Sequence, residues 1–194
     1  MTGTEVTSRD TTGRDPWLVV IDMQRIFGDP GSEWFTPGYP AIEPTVSRLV
    51  EQFSPRVVFT RFVAPAEPRG AWIPYYELWP FALVPPTDPL YELSPAFASL
   101  DLPTVASETF GKWGRELASI MGDSNEMVLA GVSTDCCVLS TALAAADAGV
   151  HVRVVEDACA GLTDADHDRA IGAMALYAPL IEITTAAAVG PERA

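Results

Sequence analysis

The stretch from 127 to 146 constrains the fold more than any other part of this chain. Met127, Val128, Leu129 and Ala130 form an apolar run. It passes through Gly131-Val132-Ser133-Thr134-Asp135-Cys136-Cys137-Val138 into an alanine-rich segment containing Ala142, Ala144, Ala145 and Ala146. A buried strand that turns directly into a helix is the unit of an α/β sheet, because parallel strands need a crossover between them. Open sheets of this kind form their pockets outside the carboxyl ends of the strands. A cysteine opening the helix meets unpaired backbone N–H groups and the positive end of the helix dipole. Both favour the thiolate, which is the nucleophilic form.

The rest of the chain repeats that alternation. Residues 17–22, WLVVID, read as a buried strand ending at Asp22. Residues 41–53 place Ile42, Val46, Leu49, Val50 and Phe53 on one helical face. Further strands are expected at 56–62, 104–106, 126–131, 152–155 and 180–183, and helices at 115–121, 135–148 and 163–177. Gly149 stops the helix at 135–148 and Thr163 caps the last. This is an α/β chain with a mainly parallel six-stranded sheet covered by helices on both faces. Between the second and third strands, residues 63–103 hold nine of the 17 prolines together with Trp72, Tyr75, Tyr76, Trp79, Phe81, Tyr91 and Phe97. That proline density rules out a long helix or a central strand. The excursion reads as a lid or an interface arm.

The 194 residues suit one domain over 17–194, preceded by a polar tail at 1–16 that reads as disordered. The tail has no apolar core segment, so it does not read as a secretory signal. A net charge of −14 with no basic cluster disfavours nucleic acid as a partner. No apolar run approaches the ~20 residues that span a bilayer. Three cysteines are an odd, small number, which favours a reducing compartment such as the cytoplasm over a disulfide scaffold. With two histidines, His151 and His167, and no zinc spacing, no metal site or cofactor is expected.

Three groups can be brought to one edge of such a sheet: Asp22, Lys112 and Cys137, although Cys136 and Cys137 are adjacent and only one of them can point into the pocket. A carboxylate can take a thiol's proton, and an ammonium stabilises both anions. Lys112 stands out because the other 11 of the 12 basic residues are arginine. The N–H groups of Cys136 and Cys137 are candidate oxyanion donors. This constellation predicts a low thiol pKa at Cys137, with alkylation slowed by Asp22→Asn or Lys112→Ala. Each residue also has a plain alternative: a turn acid, a surface lysine, a buried inert thiol.

The motif V-V-I-D-M-Q-x-x-F around Asp22, with G-V-S-T-D-x-C-V at 131–138, resembles the isochorismatase-like cysteine hydrolases. That superfamily includes nicotinamidases and N-carbamoylsarcosine amidases. The resemblance covers most of the chain, from about Trp17 to Ile183. It implies a Rossmann-like doubly wound sheet of order 3-2-1-4-5-6. It also implies Cys137 as nucleophile, Asp22 as base, a cis peptide between Val132 and Ser133, and a homo-oligomer, dimer or tetramer. Two departures stand out. Thr60-Arg61-Phe62 replaces the Asp-x-His pair that holds a metal in nicotinamidases. The family lysine ends the third strand, where this chain has Ser107, and Lys112 comes later. The implied substrate is a small amide or ureide cleaved at a C–N bond. Vinyl ether hydrolysis, with Cys137 a bystander, and a non-catalytic binding protein on the same fold are the alternatives. Arg61 is a candidate carboxylate binder, and Trp34, Phe35, Trp72 and Trp113 are candidates for an aromatic wall around a flat molecule.

Overall fold

The computed structural model describes residues 15–189, so nearly all of the tail expected at 1–16 lies outside the described residues. Six strands form one parallel sheet: β1 (Trp17–Ile21), β2 (Val57–Phe62), β3 (Thr104–Ser107), β4 (Glu126–Val132), β5 (His151–Ala160) and β6 (Ile181–Thr184). Their order is 3-2-1-4-5-6, the doubly wound arrangement. The helices are α1 (Arg25–Gly28), α2 (Tyr39–Phe53), α3 (Trp72–Leu78), α4 (Arg115–Met121), α5 (Leu139–Asp147) and α6 (Asp164–Ala175). Among the described residues no helix is long and apolar enough to cross a membrane.

Strand alternation decides what each face buries. Leu18, Val20, Phe59, Val128 and Ala130 pack against α2 and the 63–103 excursion, through Ile42, Val46, Leu49, Tyr76, Tyr91 and Phe97. Val19, Ile21, Val58, Met127 and Leu129 pack on the other side against Leu117, Met121, Ala142, Ala145 and Met174 of α4, α5 and α6. Both faces are covered, which is why the central strands read as unbroken apolar runs. The excursion contains one short helix, α3, and two 3-10 turns at Pro80–Ala82 and Pro89–Tyr91. Gln24 bolts it to the sheet. Its amide nitrogen donates to the carbonyls of Phe62 (3.0 Å) and Tyr91 (2.8 Å), and its oxygen accepts the Phe62 N–H (2.7 Å).

Two elements differ from the sequence expectation. β5 runs on to Ala160 because pairing with β4 resumes at Gly131↔Cys159 after an irregularity that follows Leu129. The helix expected from Asp135 begins with a π-type turn, Thr134–Val138, before α5. In it Val138 N–H reaches back to Ser133 O (3.1 Å), and Leu139 N–H to Thr134 O. Such wide turns recur at functional sites.

Gly131 fixes where the central strands diverge. It pairs with Ile21 and has φ +117, and a Cβ there would lie 2.1 Å from the Ile21 carbonyl oxygen. A side chain would push β1 away from β4 at the point where both strands end. Gly131→Ala is therefore expected to cost more than about 4 kcal/mol and to lose most soluble folded protein. A variant melting within a few degrees of wild type would refute that reading.

Candidate active site

Asp22 follows the last residue of β1, and its backbone has φ +47, a left-handed conformation that is costly for a residue with a side chain. Thr60 on β2 holds it there. The Asp22 N–H donates to Thr60 Oγ1 (3.2 Å), and the Thr60 hydroxyl donates to Asp22 Oδ1 (2.6 Å). Both residues are completely buried. The carboxylate therefore has one oxygen fixed by Thr60 and the other turned towards the site.

Lys112 points inward. Its side chain is 0% exposed, and Nζ lies 3.0 Å from Asp22 Oδ2. The ammonium also donates to Thr109 O (2.8 Å) and sits 4.9 Å from the centre of the Phe62 ring. The turn carrying it is internally bonded. Ser107 Oγ accepts the Thr109 N–H (3.2 Å), and the Thr109 hydroxyl donates to Gly111 O (2.9 Å). The lysine thus reaches Asp22 from beyond β3, while Ser107 serves the turn.

Cys137 lies in the π-type turn, buried at 3% exposure, where the charges of Asp22 and Lys112 both act on its thiol. Cys136 faces another way, half-buried, with Sγ 3.6 Å from Asp135 Oδ2. The peptide between Val132 and Ser133 is cis. The Cys136 N–H is directed at Ser133 O (3.3 Å), so it would have to share that bond to serve an oxyanion.

The charge state of the thiol reverses the sequence expectation. Burial pushes the Cys137 thiol well above its ordinary value, and the Asp22 charge adds to this; Lys112 pulls it down by less. The desolvation of a thiolate outweighs one cation already paired with a carboxylate. Cys136 is pushed up to about 11 by burial and then Asp135, and Cys159 to about 12 by burial. The resting site therefore holds a thiol beside an Asp–Lys ion pair. A raised pKa keeps the proton on to higher pH. In a Cys136→Ser background, iodoacetamide should thus modify Cys137 more slowly than free cysteine at pH 7. The rate should still climb above the free-thiol value of about 8.5. Asp22→Asn removes a charge that raises the thiol and frees Lys112 to pair with thiolate, so labelling should speed up; Lys112→Ala should slow it. A rate that levels off below pH 7 would restore the low-pKa expectation.

An aromatic wall stands over these groups. Trp34 meets Phe62 (5.6 Å), Tyr75 (5.9 Å), Trp79 (6.2 Å) and Phe81 (5.1 Å) by ring centroids. Phe110 meets Phe62 (6.4 Å), Trp72 (5.1 Å) and Tyr75 (5.9 Å). Burial first, and then Cys136 and Cys137, push the Tyr75 phenol up. A cavity of about 450 Å³ adjoins the wall at Trp72 and the lysine turn at Glu108 and Thr109.

Of the residues expected to bind substrate, Trp34 and Trp72 belong to this wall. Trp113 does not: it packs against the core on the α4–α5 side of the sheet. Phe35 is half-buried and joins none of the ring contacts found among the described residues. Arg61 is not brought to Asp22, because strand alternation sends it to the face opposite Thr60. It is half-buried, and its Nε is buried without a hydrogen-bond partner. Thr60 and Phe62 stood out in the sequence only as replacements for a metal-binding pair, and Phe110 and Thr141 were not singled out. A lone hydroxyl residue inside the apolar run Val57–Phe62 was the signal for Thr60; nothing local marked the others. Among the described residues, no three of His, Cys, Asp and Glu are grouped so that they could hold a metal ion.

Comparison with known proteins gives these groups a context. The structure is similar to a cysteine hydrolase from Pseudomonas syringae pv. phaseolicola 1448A (TM-score 0.79, 20% identity, covering 91% of this chain and 94% of that one). It is also similar to N-carbamoylsarcosine amidase from Thermoplasma acidophilum (TM-score 0.73, 21% identity, 93% and 100% covered). A third similar structure is pyrazinamidase/nicotinamidase from Streptococcus mutans UA159 (TM-score 0.73, 20% identity, 87% and 99% covered). At these identities the likeness establishes the fold. No curated protein matches the sequence significantly. The model of the Isochorismatase domain matches residues 16–188, and with that match over most of its length the chain belongs to the Isochorismatase family.

Proposed function

We propose that this protein is a metal-independent cysteine hydrolase that cleaves a C–N bond of a small amide or ureido compound through a thioester. One observation carries the reading: Asp22, Lys112 and Cys137, far apart in sequence, are all buried, the Lys112 ammonium lies 3.0 Å from the acid, and both charges act on the Cys137 thiol. The structural likeness to an N-carbamoylsarcosine amidase and a pyrazinamidase/nicotinamidase supports amide chemistry.

In the proposed cycle Asp22 takes the proton from Cys137 Sγ as sulfur attacks the substrate carbonyl. Lys112 offsets the negative charge, which moves from carboxylate to sulfur and then to oxygen. The Cys136 and Cys137 N–H groups hold the oxyanion. Collapse breaks the C–N bond, and protonated Asp22 gives its proton to the departing amine. Water, deprotonated by Asp22, then attacks the thioester, and the leaving thiolate recovers that proton. This order makes proton transfer from a neutral thiol part of the attack.

The chain's residues also support metal independence and an uncharged flat substrate. At the position of the nicotinamidase metal ligands, Thr60 gives its hydroxyl to Asp22, Phe62 presents a ring to Lys112, and Arg61 is a cation. None of these is a donor for a divalent ion. The site's ammonium is already paired with Asp22, so its walls are aromatic and its charge balanced. Ammonia release across a panel of carboxamides and ureides tests the proposal. Hydrolysis of at least one member, lost in Cys137→Ser, is the expected result. Turnover that survives that substitution would remove Cys137 as the nucleophile.

A further inference from the structure

Lys112 lies beyond the end of β3, where the sheet's hydrogen-bond ladder no longer fixes the backbone. The bonds among Ser107, Thr109 and Gly111 stiffen the turn but do not attach it to the centre of the site. The attachment is made by Thr141. This residue is completely buried in the first turn of α5. Its hydroxyl accepts the Lys112 N–H (3.0 Å) and donates to the Cys137 carbonyl (2.6 Å).

A threonine hydroxyl bonded to the carbonyl four residues back is ordinary helix chemistry. The second bond is not, because it comes from a turn 29 residues away in sequence. One hydroxyl thereby uses its proton and a lone pair on the backbones of the two residues that have to meet. The turn also runs close to the start of α5: a Cβ on Gly111 would lie 3.6 Å from Ser140 O.

We infer that Thr141 is a positioning residue that ties the displaced lysine to the nucleophile turn, so that Lys112 and Cys137 keep a fixed separation. The inference rests on the roles proposed above for those two residues. It explains how a lysine that does not end its strand still serves a site at the strand ends.

Because Lys112 is the only lysine, amine labelling reads the tether directly. Reductive methylation with formaldehyde and a borohydride, followed by peptide mass spectrometry, gives the rate at Lys112 apart from the N-terminal amine. Alkylation of buried Cys159 on β5, in the same samples, reports global loosening. Thr141→Val keeps the shape and removes both bonds. It is expected to methylate Lys112 about tenfold faster or more, since a lost buried hydrogen bond releases the group it held. Cys159 should stay at its wild-type rate. Thr141→Ser keeps the hydroxyl and should restore protection to within about twofold. If Thr141→Val fails to fold, Thr141→Ala carries the same comparison. Wild-type labelling in a folded Thr141→Val or Thr141→Ala protein would overturn the inference. So would a serine variant as reactive as valine, or parallel acceleration at Cys159. On any amide the protein turns over, Thr141→Val should lower kcat about tenfold with little change in KM. Labelling needs no substrate, so a failed tether and a failed hydrolase reading give different results.

Discussion

Replacing Cys137 with alanine is expected to lower amide hydrolysis by about 10³-fold or more while leaving the fold intact. The size follows from the site. Thr60 and Lys112 orient Asp22, but no other sulfur is placed beside it: Cys136 faces Asp135, and Cys159 lies on β5 with Sγ 4.0 Å from Leu129 O. Neither can replace the missing nucleophile. The structural cost is small, because only one sulfur leaves the cluster formed with Val138, Ala142 and Leu129. That vacancy costs on the order of 1 kcal/mol. Ammonia release and a thermal melt, run on the same preparation, separate the two effects. Activity within tenfold of wild type would remove Cys137 from the mechanism.

The second large effect is expected at Asp22. Asp22→Ala should destabilise the protein by about 3–5 kcal/mol, because it leaves a fully buried ammonium without an anion, with only the Thr109 carbonyl and the Phe62 ring beside it. It also asks alanine to hold φ +47, which asparagine tolerates better. Asp22→Asn should therefore cost less, and the double variant Asp22→Asn/Lys112→Met should recover most of the loss by removing both charges. Urea unfolding of Asp22→Asn, Lys112→Met and the double variant measures the coupling. If Asp22→Ala shifts stability by less than about 1 kcal/mol, Lys112 is not held by this pair in solution. Turnover should be absent in every Asp22 variant, since none retains a carboxylate to move the proton.

The sheet was legible in the sequence because its cause is local. Val19, Val20, Val128 and Leu129 lie on strands covered on both sides, and the apolar runs they create can be read without knowing their partners. Asp22 and Cys137 were visible for a related reason: each sits just past such a run, where a parallel sheet opens. The start of the nucleophile helix was less legible. Residues 134–138 carry no signal that separates a π-type turn from a regular first turn, since the difference lies in which carbonyl each N–H reaches.

The protonation of Cys137 could not be read either. The sequence shows the cation and the helix end, both of which favour thiolate. It does not show the complete burial that outweighs them. Arg61 and Trp113 looked equivalent to Trp34 and Trp72 as pocket residues. They differ in face, which alternation and packing decide. Phe62, Tyr75 and Phe110 came together from β2, the excursion and the lysine turn, three segments with no pattern in common.

By itself, then, the sequence determined the α/β class with a sheet covered on both faces, the acid at the end of β1 and the cysteine after β4, because each follows from hydrophobic periodicity and a short motif; the doubly wound order came only as what the family resemblance implies. Only the tertiary structure decided that Lys112 turns inward onto Asp22, that the thiol rests protonated, and that Thr141 joins the two segments. Those outcomes depend on distances and desolvation between residues remote in the chain. Charge and hydrogen bonding at a buried site are fixed by what surrounds it in space.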